Sequence, residues 1–131
     1  MRLLLDTHVW LWSVLRPRRL NRNVTRALSN ARNELWWSPV SGLELISLCR
    51  RKRFRAVIEP VAWITSALRQ VPLREVPITT DIALACARFE LPDDDPADRI
   101  LVATARVHGL TLITSDRKII EAGVVPVLAN D

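Results

Sequence analysis

RLLLDTH, residues 2–8, sets an apolar run, Leu3 to Leu5, directly against the carboxylate of Asp6. Three leucines without alternation have the pattern of a short strand covered on both faces, as in a parallel sheet. Four other stretches share that character: LWW at 35–37, LREVPI at 73–78, TLIT at 111–114 and VVPVL at 124–128. Helical spacing fills the intervals, over residues 8–15, 24–32, 39–52, 60–69, 80–90, 96–108 and 116–122. Strands alternating with helices predict an α/β fold with a central parallel β-sheet of about five strands, flanked by helices on both sides. A length of 131 residues suits one core, so residues 1–131 are expected to form a single domain.

Several boundaries are marked by their own chemistry. Ser38-Pro39 and Asp95-Pro96 each have the form of an N-cap followed by proline at the first helical position. Gly109 and Gly123 each follow a helical stretch, where a left-handed cap is expected. The segment 39–52 places Gly42, Leu45, Ile46 and Cys49 on one face, which should meet the sheet.

Composition narrows the function classes. With 49% hydrophobic and 25% charged residues the chain has the profile of a soluble globular protein. The opening apolar run is too short for a signal peptide, and no stretch approaches the roughly 18 apolar residues of a membrane span; a cytoplasmic location is expected. Cys49 and Cys86 stand singly, which excludes a disulfide framework, and His8 and His108 lack zinc-site spacing. Neither GxGxxG nor GxxxxGK[ST] occurs, so the usual nucleotide cradles are missing.

The net charge of +5 is unevenly spread. Residues 1–55 hold 12 basic and three acidic side chains, whereas residues 56–131 hold seven basic and 11 acidic ones. A basic first half suits a polyanion such as nucleic acid, and equally a solvated surface. Its arginines cluster at Arg16, Arg18, Arg19, Arg22 and Arg26, and again at Arg50, Arg51, Lys52, Arg53 and Arg55. The second cluster ends a helix, where positive charge also complements the dipole.

In open parallel sheets ligands bind beyond the carboxyl ends of the strands, and Asp6 falls immediately after the first strand. Asp116 repeats that placement after TLIT, while Glu44 and Asp98 lie about a turn into helices that begin at the same edge. Each of the last three has a structural reading: Ser41 and Glu44 fit a capping box, Asp95 and Asp98 an N-cap with an acid at N3, and Asp116 a cap of the last helix. Asp6 has the weakest structural excuse. Brought together, the carboxylates would repel one another unless a cation held them, and an all-oxygen set of high negative charge selects Mg²⁺ or Mn²⁺. An acidic metal site beside a basic surface points to phosphodiester hydrolysis.

The segments LLLDTHVWLW, SPVSGLELISL, DPADRILVATA and LITSDRKI together resemble PIN-domain ribonucleases, in particular the VapC-type toxins of toxin–antitoxin pairs. The resemblance spans nearly the whole chain. It implies a metal-dependent endoribonuclease in which Asp6, Glu44, Asp98 and Asp116 form the acidic quartet, Asp95 is an additional acid, and Thr7 and Thr114 steady the pocket. It also implies a VapB-like antitoxin whose tail lies beside the active site, and commonly a homodimer. Relatives often carry a histidine shortly before the Asp-Pro pair, whereas this chain reads LPDDDPADR, with Asp93 and Asp94 there.

Mg²⁺-dependent cleavage of RNA is therefore the leading expectation. Its roles are Asp6, Asp98 and Asp116 as ligands, Glu44 as ligand or water-orienting base, and Asp95 as an outer or second-metal ligand. A non-catalytic RNA- or protein-binding module on the same fold is the alternative. Phosphoryl transfer to aspartate fits less well, since His8 stands where a phosphatase needs a second acid and Lys118 falls inside the last helix. The five tryptophans, with no tyrosine, are expected in the core or an interface, with base stacking the minority role.

Overall fold

A computed structural model describes residues 1–51 and 59–131, so Lys52 and Arg53 lie outside the described residues. Five parallel strands form one sheet in the order β3-β2-β1-β4-β5: β1 Arg2–Leu5, β2 Glu34–Trp37, β3 Arg74–Glu75, β4 Thr111–Thr114 and β5 Val127–Ala129. The helices among the described residues are α1 Thr7–Leu15, α2 Arg22–Ser29, α3 Pro39–Arg50, α4 Pro60–Gln70, α5 Thr80–Ala85, α6 Pro96–His108 and α7 Arg117–Ala122, with a 3-10 turn at Pro17–Arg19.

The leucine run behaves as its lack of alternation predicts. Leu3 and Leu5 enter one core with Val9, Trp10, Leu45 and Ile113, while Leu4 enters a second with Leu101, Val102 and Leu112. Each side chain is 0–2% exposed. Consecutive residues of a strand point to opposite faces, so a strand apolar at every position needs a core on both sides. β1 sits in the middle of the sheet, in register with β2 through Leu3 and Leu35 and with β4 through Leu3 and Thr111.

The boundary chemistry also holds. Ser38 Oγ accepts from Val40 N at 3.2 Å and Pro39 opens α3; Asp95 and Pro96 repeat the device at α6. Gly109 and Gly123 adopt φ of +63° and +65°. Both cysteines are free and half-buried.

Four elements are shorter or shifted, the least of them α2, which runs Arg22–Ser29 rather than over 24–32. The stretch 73–78 yields only Arg74–Glu75 as strand, extended by one bond from Val76 N to Trp37 O (2.8 Å), because Pro77 has no N–H to continue the ladder. The helix expected over 80–90 ends at Ala85; tighter turns follow, Phe89 enters the core, and Arg99 Nη1 donates to the carbonyls of Cys86 (2.9 Å) and Phe89 (3.3 Å). The last strand starts after Pro126 rather than at Val124.

Candidate active site

Asp6, Asp95, Asp98 and Asp116 sit where a strand ends or a helix begins, and Glu44 lies in the second turn of α3. Asp6 follows β1, is 8% exposed and caps α1: Oδ1 accepts from Thr7 N (2.7 Å) and Oδ2 from Thr114 Oγ1 (2.6 Å). Thr114 ends the neighbouring strand, and its hydroxyl also accepts from Asp116 N (3.0 Å). One hydroxyl thus ties the acid after β1 to the start of α7. Asp116 caps α7 through Oδ1, which accepts from Lys118 N (2.9 Å).

A second threonine fixes the other wall. The buried Thr7 Oγ1 donates to Glu44 Oε1 (2.5 Å) and lies 2.8 Å from Ser41 Oγ, binding the first turn of α1 to α3. The capping-box reading of Ser41 and Glu44 does not hold: Ser38 caps α3, which leaves Ser41 and Glu44 inside the helix facing Thr7. Asp95 caps α6 through Oδ1, accepting from Ala97 N (2.9 Å) and Asp98 N (3.4 Å). Asp98, half-buried, accepts no side-chain hydrogen bond among the described residues.

The electrostatics link the set. Burial first, and then Asp95, Asp6, Asp116 and Glu44, push the Asp98 carboxyl up to about 7. Burial also raises Asp6, against the hydrogen bonds from Thr114 and Thr7, and raises Glu44, against the hydrogen bond from Thr7. Five carboxylates from four parts of the chain therefore share one electrostatic neighbourhood at the carboxyl edge of the sheet.

Capping and site-building are compatible for these acids, since a carboxylate has about four lone-pair directions and a cap uses one or two. Asp95 and Asp116 each accept their cap bonds through Oδ1 alone, and Asp98 keeps both oxygens. Among the described residues no three His, Cys, Asp or Glu side chains are gathered tightly enough to hold a metal ion. The donor set itself suits a hard divalent cation: it is all oxygen, negatively charged and partly desolvated.

The two acids ahead of the Asp95-Pro96 pair are taken up in ion pairs. Asp93 meets Lys118 Nζ at 2.6 Å and Asp94 meets Arg99 Nε at 3.0 Å. Lys118, two residues after Asp116, is thereby held beside the site, and its ammonium is stabilised by Asp93 first and then by Asp116 and Asp98. Sequence reasoning placed Lys118 only inside a helix. Asn21 and Asn130 were also missed: Asn130 Oδ1 accepts from Asn21 N (2.7 Å) and its Nδ2 donates to the Arg19 carbonyl (3.1 Å). Isolated asparagines carry no spacing signal that would reveal such a bond.

Of the predicted RNA contacts, Arg16, Arg18 and Arg19 are exposed around the 3-10 turn, and Arg50 and Arg51 are exposed at the end of α3. Arg51, His8, Leu43 and Ile100 join Glu44 and Asp95 in lining a cleft of about 400 Å³ beside the acids. Trp10 and Trp37 are buried with their rings 5.0 Å apart, and Trp63 packs edge-on to Trp10 at 5.8 Å. Trp36 is half-buried between Arg2 and Arg74.

The PIN domain family's sequence pattern matches residues 3–125. The chain belongs to the PIN-domain family. It is 35% identical over 119 residues to Ribonuclease VapC22 of Mycobacterium tuberculosis, a match covering 88% of each chain. Solved PIN-fold structures share its architecture: DNA-bound VapBC from Salmonella typhimurium, with a TM-score of 0.74 at 16% identity over 100% of this chain and 99% of that one, and VapBC-5 from Mycobacterium tuberculosis, 0.62 at 20% over 98% of both. At those identities the likeness is one of fold. In this PIN domain no helix among the described residues is long and apolar enough to cross a membrane.

Proposed function

We propose that the chain is a Mg²⁺-dependent endoribonuclease and the toxin of a VapBC-type pair. What supports the reading is that Asp6, Glu44, Asp98 and Asp116 lie near the carboxyl edge of a parallel sheet, close enough that burial and the other acids push Asp98 up to about 7. A relative named as a ribonuclease at 35% identity supports the same chemistry. Asp6, Asp98 and Asp116 would hold the ion, with Asp95 as an outer or second-metal ligand. Mg²⁺ or Mn²⁺ bound there supplies a nucleophilic water and neutralises charge on the phosphate. Glu44, aimed by Thr7, orients that water or adds a ligand. Thr114 holds Asp6 in place.

Arg16, Arg18, Arg19, Arg50 and Arg51, with Lys52 and Arg53, offer positive charge to the RNA backbone. We infer a VapB-like antitoxin because the similar folds solved include VapBC complexes, and a homodimeric toxin from the family resemblance alone. A cytoplasmic location is the one that an RNA substrate fits best.

Cleavage of single-stranded RNA by the purified protein tests the reading. Strand scission is expected in Mg²⁺ or Mn²⁺ and not in EDTA, and Asp6→Asn or Asp98→Asn should lower the rate about a hundredfold or more with the fold retained. A metal-loaded sample of either variant cutting at the parent's rate would remove the assignment. The non-catalytic alternative, which the capping roles of Asp6, Asp95 and Asp116 favour, predicts neither scission nor a rise in thermal stability on adding the ion.

A further inference from the structure

His8, Trp12 and Leu15 follow one another along α1 at i, i+4 and i+7, and so share one face of the helix. With Arg16, Arg19 and Leu48 they line a pocket of about 300 Å³, the size at which small-ligand sites begin. Its floor is aromatic: the His8 and Trp12 rings lie 5.9 Å apart and tilted by 52°. Its rim is cationic. The Arg19 guanidinium lies 4.6 Å from the centre of the Trp12 ring, and Arg16 is exposed beside it. The backbone of Arg19 is pinned from behind by Asn130 Nδ2 on its carbonyl. His8 and Leu48 also line the cleft that contains Glu44 and Asp95, so the pocket adjoins the acids.

We propose that this pocket is a stacking subsite: it takes one nucleobase of a single-stranded RNA on the Trp12 indole, next to the nucleotide whose phosphodiester faces the carboxylates. The inference rests on the ribonuclease reading above and adds where the substrate is gripped. An indole face already covered by a planar guanidinium has the electrostatics and the room for another flat group. Arg19 exchanges the ring for a phosphate, to which it makes stronger, charge-assisted hydrogen bonds. Arg16 reinforces the same backbone contact. Stacking accepts any base, so Trp12 contributes grip and register rather than sequence readout.

The test uses the Asp6→Asn protein, which holds RNA without cutting it, and measures by fluorescence anisotropy its binding of a short labelled single-stranded RNA in which one abasic nucleotide is stepped along the strand. A single abasic position should weaken binding roughly tenfold or more when Trp12 is present. The dependence should vanish in Trp12→Leu and persist in Trp12→Phe, which retains a ring. In the otherwise wild-type protein Trp12→Leu should raise KM while leaving kcat within about twofold. Thermal unfolding identifies any variant that fails to fold, and Trp12→Phe then carries the comparison. An abasic scan with no position-specific loss in the folded parent overturns the proposal. So does a Trp12→Leu protein that binds and cuts RNA as the parent does, including one that loses only a protein partner, which would assign the pocket to that partner. A wild-type protein that cuts no RNA in Mg²⁺ or Mn²⁺ sinks the ribonuclease reading itself, whereas one that cuts without dependence on Trp12 sinks the subsite alone.

Discussion

Thr114 Oγ1 donates to Asp6 and accepts from the Asp116 backbone, so a single atom orients one acid and anchors the element that bears another. Thr114→Val keeps the shape and removes the hydroxyl. It should destabilise the fold by about 1–3 kcal/mol, read from chemical denaturation, because a buried carboxylate loses its donor. The Thr114 bond holds the Asp6 carboxyl down against burial, so the acid limb of the cleavage–pH profile should also move to higher pH. Asp98 gives a second expectation. Folded, it releases its proton at about 7; unfolded, near 3.8. Between those values the folded chain holds a proton that the unfolded chain has lost, so this contribution is complete below about pH 4 and gone above about pH 7. Thermal melts from about pH 4 to about pH 8 should therefore fall less steeply for Asp98→Asn than for the parent, and a divalent cation should raise the parent's melting temperature most at the alkaline end. Asp6 and Glu44, raised in the same direction, add to the parent's slope but are shared by both proteins.

At the scale of elements, the site is made by helix starts. α1, α3, α6 and α7 all open at the carboxyl edge of the sheet, and their N-termini tolerate the acids placed there. That much was legible: RLLL, TLIT, Ser38-Pro39 and Asp95-Pro96 carry strand and cap signals in adjacent residues, Asp6 follows its strand directly and Asp116 follows its own after Ser115. Less legible was anything decided by a partner far along the chain. The Ser41–Glu44 spacing matches a capping box, yet the hydroxyl that meets Glu44 belongs to Thr7, 37 residues away. The end of α5 depends on Arg99 reaching back to Cys86 and Phe89, which no local propensity encodes. Whether Asp93 and Asp94 add charge to the metal site or only decorate a loop is open in the sequence, and the structure pairs them with Lys118 and Arg99. Gly109 tests the local kind of signal. At φ +63° with open space around an added Cβ, Gly109→Ala should cost about 1 kcal/mol from backbone strain alone, and Gly109→Asn less, as read from urea midpoints.

For the molecule as a whole, charge asymmetry and topology divide the work. The basic first half contributes Arg16, Arg18 and Arg19, and the acidic second half contributes Asp95, Asp98 and Asp116. If the three arginines each neutralise a phosphate, replacing all of them with alanine should lower the slope of log Kd against log salt for single-stranded RNA by about 2, measured by anisotropy at several ionic strengths. The sheet order also governs when the fold can be completed. One edge of β1 stays bare during translation until β4 emerges, since Leu4 must wait for Leu112. A naked apolar edge invites chaperones and misassociation while it waits. Under the proposed function the same delay is protective: Asp6 and Thr114 are 108 positions apart, so a ribosome-bound fragment cannot close the acidic centre before Thr114 has emerged.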